Sequence, residues 1–489
     1  MDLITDACKN LLPQLPGNEA VWKIFLRMLE IPNGSGHHAK IMPGMIAMIE
    51  EMGLEYEVDT AKNIIVRSVA TPGFEDVPGV CFQGHSDMVC VSKAGKVMDF
   101  INDPIEPRLA EIDGKTWMLA TDTSLGADNG IGIALGLAIM TDPTVARPAC
   151  ECLITCDEEI GLIGASALAP NCLRSKYLIN VDSEDAGVVT VSCAGGFVTK
   201  YALKAEASPC ETTTYRAEIS GLAGGHTGVE IHKLRGNSLK IMATCLTTAV
   251  PGCRILSMQG GQAHNAIPRA CVVEFTSDKE NVEAAMQAAF ANAVAPHKET
   301  DPGATLTVTG TNHGAAYSAE VSASLLGLLL ALPHGPKTMS ADVEGLVQTS
   351  FATATLATAN GFHIVTSGRS SVESDLDTLY AEVKATGEKF GFDVSAALDR
   401  YPGWAPNMES ALLKELIKAH EEEFGRKPTI EAIHAGLEAG IILKCCPNME
   451  AVSIGPTIVS PHSDTERLLI EDIPYCYSWM VKYLAGMKH

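Results

Sequence analysis

Four short apolar runs constrain this chain more than any other feature: Val80-Cys81-Phe82, Cys152-Leu153-Ile154-Thr155, Tyr177-Leu178-Ile179-Asn180-Val181 and Ala451-Val452-Ser453-Ile454. Their continuous apolar character marks strands buried on both faces, as in a parallel sheet covered by helices. Each is followed within a few residues by His, Asp or Glu. In open α/β sheets ligands collect at the carboxyl ends of the strands, so the runs locate a site. The fourth run lies near the C-terminus, which makes the site-bearing domain discontinuous. A second domain is inserted between the third run and the fourth.

The insert, from about Thr212 to about Ser395, has its own texture. Strand-like segments at Tyr215 to Ile219, Cys271 to Phe275, Thr305 to Val308, Val347 to Ala357 and His363 to Thr366 alternate with helical ones. Those helices are expected near Asn237 to Ala249, Val282 to Val294 and Val372 to Phe390. This is the pattern of an antiparallel sheet carrying helices. The fold class expected is therefore α/β, with residues 1–211 and 396–489 forming a mixed sheet covered by helices and 212–395 an inserted α+β domain. Before the first strand, Val21, Ile24, Phe25, Met28 and Leu29 recur at helical spacing up to the stop at Pro32-Asn33-Gly34. A second helix is expected from Pro43, in its first turn, to Gly53.

Length agrees with two domains, because 489 residues exceed the roughly 150 to 250 that one core organises. The formal charge of -23 repels nucleic acid and anionic lipid alike, so neither is an expected partner. The longest apolar stretch, Val321 to Leu332, falls short of the roughly 20 residues that span a bilayer and reads as a buried helix. The N-terminus lacks the basic and apolar regions of a secretory signal, so cytoplasm is the expected compartment. The 15 cysteines are scattered, with no Cys-x-x-Cys pair, and are expected to be reduced and buried.

The chemistry lies in five clusters. In Gly84-His85-Ser86-Asp87 the histidine and aspartate leave an extended strand end in the same direction. Asp87 can hold one imidazole nitrogen while the other binds a metal, and a structural histidine is the plainer alternative. Asp128 precedes an apolar helix running to about Met140, where it is either a ligand or an N-cap. Asp157-Glu158-Glu159 places three consecutive carboxylates at a strand end, a costly arrangement unless cations sit among them or water solvates them. Adjacent residues leave a strand in opposite directions, so one glutamate can ligate while its neighbour faces a substrate. Asp182-Ser183-Glu184-Asp185 and Ser460-Pro461-His462-Ser463-Asp464 complete the set.

Together His85, Asp128, Glu159, Asp182 and His462 form an oxygen- and imidazole-rich ligand set suited to two divalent ions. Three carboxylates and one hydroxide offset the charge of two such ions with both histidines neutral. A pair of ions polarises a carbonyl and acidifies the water they share. Glu158 is the unclaimed carboxylate nearest them and the candidate general base.

These motifs resemble the zinc-dependent dipeptidases and deacylases that include carboxypeptidases, aminoacylase and carnosinase, and within them the aminoacyl-histidine dipeptidase branch. The match carries Gly84-His85-Ser86-Asp87-Met88-Val89, Gly126-Ala127-Asp128-Asn129-Gly130, Asp157-Glu158-Glu159-Ile160-Gly161, Asn180-Val181-Asp182-Ser183-Glu184 and Pro461-His462-Ser463, with Ile31-Pro32 and Ser35-Gly36-His37 near the start. The resemblance implies that Asp128 bridges two metals, that His85 and Asp182 complete one and that Glu159 and His462 complete the other. It also implies Glu158 as acid/base, Asp87 as the group orienting His85, and the insert as a lid.

In that lid, His226 of Gly224-Gly225-His226-Thr227-Gly228 is implied to stabilise an oxyanion, as a neutral donor or an imidazolium. Asn265 is implied to contact substrate and Arg369 to clasp its terminal carboxylate. Glu438, in His434-Ala435-Gly436-Leu437-Glu438, is placed near the substrate amine. The expected reaction is metal-dependent hydrolysis of dipeptides, Xaa-His and β-alanyl-histidine among them, with N-acyl amino acid deacylation as the alternative. Zinc is the expected metal, and Mn or Co would accept the same ligands. The insert is longer than a single small lid, which leaves a homodimer open and His226 acting in cis or in trans.

Overall fold

The computed structural model describes residues 2–311 and 314–487. The chain divides into two compact units. The first ends at Ser192 and resumes over Pro406–Ala432 and from Leu437; the second is Cys193–Ala405 with Ile433–Gly436.

The first unit is built on an eight-stranded mixed sheet in the order Glu55–Val58, Ile64–Ser68, Cys150–Thr155, Val80–His85, Tyr177–Asn180, Glu450–Ser453, Val188–Cys193, Thr429–Ile433. The four apolar runs are its four central strands, side by side and mutually parallel. Every residue of Val80–His85 and Cys150–Thr155 is buried, the double-sided cover that continuous apolar runs require. Helices Glu19–Leu29, Ala127–Thr141 and Asp472–Gly486 share one core with these strands. Glu19–Leu29 starts where Asn18 accepts the amide of Ala20, an N-cap that replaces one missing helical partner. A smaller four-stranded sheet joins Ile458–Val459, Arg467–Leu469, Lys115–Ala120 and Pro107–Ile112.

The second helix departs from expectation. It begins at His38, so Pro43 lies inside it. The ring removes the N–H that would bond the carbonyl of Ala39, and Ala39 is exposed, so water can take that carbonyl.

The second unit holds a ten-stranded antiparallel sheet. Its main path runs Thr305–Thr311, Thr214–Ser220, Cys271–Thr276, Ile255–Gly260, Val347–Thr358, Gly361–Ser370, Gly195–Lys204, Asp393–Val394. Helices Ser238–Ala249, Val282–Val294, Ala319–Ala331 and Glu373–Lys389 pack with it into a second core. Gly195–Lys204 pairs along its length with Gly361–Ser370, and this moves the start of the unit back from 212 to 193. Ala319–Ala331 is the apolar stretch, capped by Ser318. Among the described residues no helix is long and apolar enough to cross a membrane.

Ala127–Thr141 lies close against the central strands because glycines face them. A Cβ on Gly132 would stand 2.2 Å from the carbonyl oxygen of Val181, and one on Gly136 2.9 Å from the Cβ of Phe82. Gly132→Ala is expected to destabilise the protein by about 1 to 3 kcal/mol through overpacking, whereas Gly486→Ala, with nothing within 4 Å of its Cβ, should change stability by under about 0.5 kcal/mol. Urea unfolding of both variants checks the pair.

Candidate metal centre

The five expected ligands converge in the first unit. His85 ends its strand, and Glu159 and Asp182 follow theirs by a few residues. Asp128 comes from the entrance of Ala127–Thr141, where its backbone is not yet helical. His462 comes from the turn between Ile458–Val459 and Arg467–Leu469, not from the end of the Glu450–Ser453 strand.

The Asp128 carboxylate stands between the two histidines. Its Oδ1 is 3.0 Å from His85 Nε2 and its Oδ2 3.1 Å from His462 Nε2. Asp182 Oδ1 lies 3.3 Å from His85 Nε2, and Glu159 Oε2 lies 3.0 Å from His462 Nε2. Two groups of ligand atoms result, His85/Asp128/Asp182 and Asp128/Glu159/His462, each within 4.8 Å and sharing Asp128. Glu158 adjoins them, grouped at the same range with His85 and Glu159.

The donor set fits two divalent ions. Glu159 Oε1 is buried without a hydrogen-bond partner, a costly state for a carboxylate oxygen that a cation would relieve. Its neighbours carry the same strain as shifted titrations. Burial pulls His85 down, yet Asp182 and Asp128 overcome it and hold the imidazole well above its usual value. Hydrogen bonds to Asp128 and Glu159 push His462 up to about 11. Burial, with Asp182, Glu438 and Glu159 nearby, pushes Glu158 well above the carboxylate range against the pull of His85. The upward pull on both histidines has one source, crowded carboxylates, whose charge a cation would balance.

Asp87 requires a correction. The bond to His85 Nδ1 is taken by the main-chain carbonyl of Asp87 at 2.9 Å, while its carboxylate Oδ1 lies 3.7 Å away. The carboxylate instead accepts the Ser35 hydroxyl at 2.7 Å and the amides of Glu158 and Glu159 at 3.0 and 3.4 Å. It therefore organises the loop that carries the proposed base. Either acceptor fixes the proton on Nδ1 and presents Nε2 to the centre.

Glu438 is anchored in the sheet. It is fully buried, with Oε2 accepting from Gln83 Nε2 at 2.5 Å and Thr155 Oγ1 at 2.6 Å. Burial pushes it up to about 7. Its Oε2 braces two central strands, while its Oε1 is buried without a hydrogen-bond partner. Two further carboxylates hold backbone, Asp157 of the third cluster and Glu466, which carries no local sequence signal. Asp157 accepts Gly36 N and contacts His38 Nε2, and Glu466 accepts amides from the Asp128 loop.

His226, Asn265 and Arg369 lie in the second unit. His226 belongs to a short strand paired with Ala266–Ile267, and the carbonyl of Asn265 accepts the amide of Thr227. His226 Nδ1 accepts the amides of Gly228 and Val229, both at 3.1 Å. That fixes a neutral ring with its proton on Nε2. Burial, then Arg369, lowers it to about 4, with Glu230 opposing and His264 assisting. Buried Arg369 donates to the Tyr401 hydroxyl at 2.9 Å and leaves Nε without a partner. His434, which the sequence reading did not assign, contacts Ser350 Oγ at 2.7 Å. Burial and Arg369 lower it to about 3.

Residues 81–486 match Peptidase family M20/M25/M40, and the chain belongs to that family. It is similar to the cytosol non-specific dipeptidase of Escherichia coli (strain K12), at 35% identity over 477 residues that cover 95% of this chain and 97% of the relative. Among solved structures it is similar to the aminoacylhistidine dipeptidase of Vibrio alginolyticus, with a TM-score of 0.86 at 31% identity over 97% of each chain. A tripeptidase from Staphylococcus aureus shares the fold alone, with a TM-score of 0.54 at 15% identity over 96% of this chain and 98% of that one. The α/β fold and the family read from the motifs are borne out.

The two lowered histidines give stability a pH dependence of known sign. Below about 6.5 the unfolded chain binds protons that folded His226 and His434 refuse until about pH 4 and about pH 3. Stability is thus fully present above 6.5 and falls as pH drops toward 4, by at most about 1.4 kcal/mol per pH unit for each group. Urea unfolding from pH 7 to pH 5 should show the wild type losing roughly 3 to 4 kcal/mol more than a His226→Gln/His434→Gln variant. Equal losses would mean that neither histidine is held neutral.

Proposed function

We propose that this peptidase hydrolyses dipeptides, Xaa-His and β-alanyl-histidine among them, with two divalent ions held by His85, Asp128, Glu159, Asp182 and His462. The carrying observation is one carboxylate, Asp128, shared between two histidine-carboxylate groups with Glu158 alongside. The dipeptidases of E. coli and V. alginolyticus support the substrate class. Zinc is the proposed metal and cytoplasm the proposed compartment.

Bound ions would polarise the scissile carbonyl and acidify the water between them. Glu158 takes the proton of the attacking water on its carboxylate and returns it to the nitrogen of the leaving amine. Asp87 keeps Glu158 in place through its amide. The second unit is proposed as the lid: His226, with its proton fixed on Nε2, donates to the oxyanion, and Arg369 clasps the terminal carboxylate. Asn265 is proposed to contact substrate beside them.

Chelated enzyme should be inactive on β-alanyl-histidine, alanyl-histidine, a tripeptide and an N-acetyl amino acid. Zn or Mn should restore cleavage of the unblocked dipeptides alone. Cleavage of only the acetylated compound would make the protein a deacylase with the same centre. Glu158→Gln is expected to lower turnover by about 10²- to 10⁴-fold while elemental analysis finds the wild-type metal content. Loss of metal together with activity would make Glu158 a ligand or a structural group instead.

A further inference from the structure

Asp128 stands at the entrance of Ala127–Thr141, where free amides ordinarily draw in a nearby aspartate as an N-cap. It does not cap. The N-cap position is Gly126, which has no side chain to offer, and the Asp128 carboxylate turns to His85 and His462. The amides are satisfied from elsewhere in the chain. Glu466 Oε2 accepts Leu125 N at 2.6 Å and Gly126 N at 2.9 Å, and its Oε1 accepts Ala127 N at 2.8 Å and Asp128 N at 3.3 Å. Glu466 is 2% exposed. Each oxygen takes two N–H groups, the arrangement of an ionised carboxylate, and the helix N-terminus favours its charge.

Glu466 also belongs to the other side of the centre. It lies four residues after His462 in the turn leading into Arg467–Leu469, a turn closed by its own amide bonding the carbonyl of Ser463. One buried side chain therefore ties the loop of the shared carboxylate to the loop of the second histidine. We propose that Glu466 is a positioning residue of the metal centre, which caps the Ala127–Thr141 helix in place of Asp128, frees the Asp128 carboxylate to be shared by two ions, and fixes His462 relative to it. This rests on the two-ion reading above and adds to it a group that touches neither metal nor substrate.

In Glu466→Gln the side chain keeps its size and loses one acceptor. One end would aim NH2 at two amides, and the Asp128 carboxylate becomes the nearest alternative cap. The test titrates chelated protein with Zn by calorimetry and with Co, whose visible absorption reports ligand geometry. Wild type should bind two ions per chain. Glu466→Gln should bind about 10- to 100-fold more weakly, with an altered Co spectrum, while the melting temperature of metal-free protein stays within a few degrees. Glu466→Asp, which keeps the charge on a shorter arm, should lose less.

Unchanged affinity and spectrum in Glu466→Gln would overturn the proposal. So would a lower metal-free melting temperature with normal metal binding, or equal impairment in Glu466→Asp, which would point to packing. If Glu466→Gln does not fold, weakened binding in a folded Glu466→Asp supports the proposal and wild-type binding overturns it. A wild type that binds no ions would instead sink the two-ion reading itself.

Discussion

Mutual repulsion among carboxylates held out of water is the constraint on which this structure turns. Asp182, Glu158 and Glu159, just beyond the carboxyl ends of buried parallel strands, crowd together with Asp128 from a helix entrance, and among the described residues His85 and His462 face them. At an effective dielectric constant near 20, two like charges 4 Å apart cost about 4 kcal/mol. Several such pairs exceed what a domain can absorb from its ordinary margin. The crowding shows in the direction of every shift, with His85 and His462 pulled up by carboxylates and Glu158 and Asp182 pushed up by burial and their acidic neighbours. An arrangement this expensive for bare carboxylates is one that dications would relieve.

A scaffold that imposes this crowding has to hold its backbone firmly, and here it does so with more carboxylates. Asp87 accepts the amides of Glu158 and Glu159, Asp157 accepts Gly36, and Glu466 accepts four consecutive amides before and at Asp128. Bonds from amides to an ionised acceptor are stronger than neutral ones. Acidic residues thus divide into those that face the centre and those that face the chain. Residue type does not distinguish them; only the direction of the side chain does.

That division explains what the amino-acid sequence made legible. Continuous apolar runs have one comfortable setting, a strand covered on both faces, so four of them identified the middle of the sheet and the region of the ligands. His85, Glu159 and Asp182 stood out because each closely follows such a strand, Asp128 because it heads an apolar helix, and His462 through the Pro461-His462-Ser463 motif, although a separate turn carries it. Asp87 was placed with the right partner but the wrong atoms, since its carbonyl and carboxylate are both within reach of His85 and spacing cannot choose between them. Glu438 stood out because it ends a distinctive motif, but spacing could not show that Gln83 and Thr155 hold its Oε2 while its Oε1 stays unpartnered. Glu466 was invisible because its partners lie more than 300 residues earlier. The edge of the second unit was missed for the same reason, because Gly195–Lys204 is assigned by pairing with a strand far along the chain.

Histidine shows how far environment outweighs residue type in this molecule. In the first unit carboxylates hold His85 and His462 upward, and the site calls for cations. In the second, burial and the Arg369 guanidinium hold His226 and His434 downward, and both rings are neutral at physiological pH. A buried guanidinium with an unpartnered Nε, flanked by uncharged imidazoles, is short of an anion rather than of a cation. The dipeptide proposed as substrate has an anion at one end and a carbonyl to be polarised within it. The neutral state of His226 follows from the same Arg369 charge and from two amides that occupy its Nδ1. Its Nε2–H is therefore a hydrogen-bond donor that stays in place above about pH 4, so in the proposed reaction the oxyanion contact and the proton transfer are assigned to different groups.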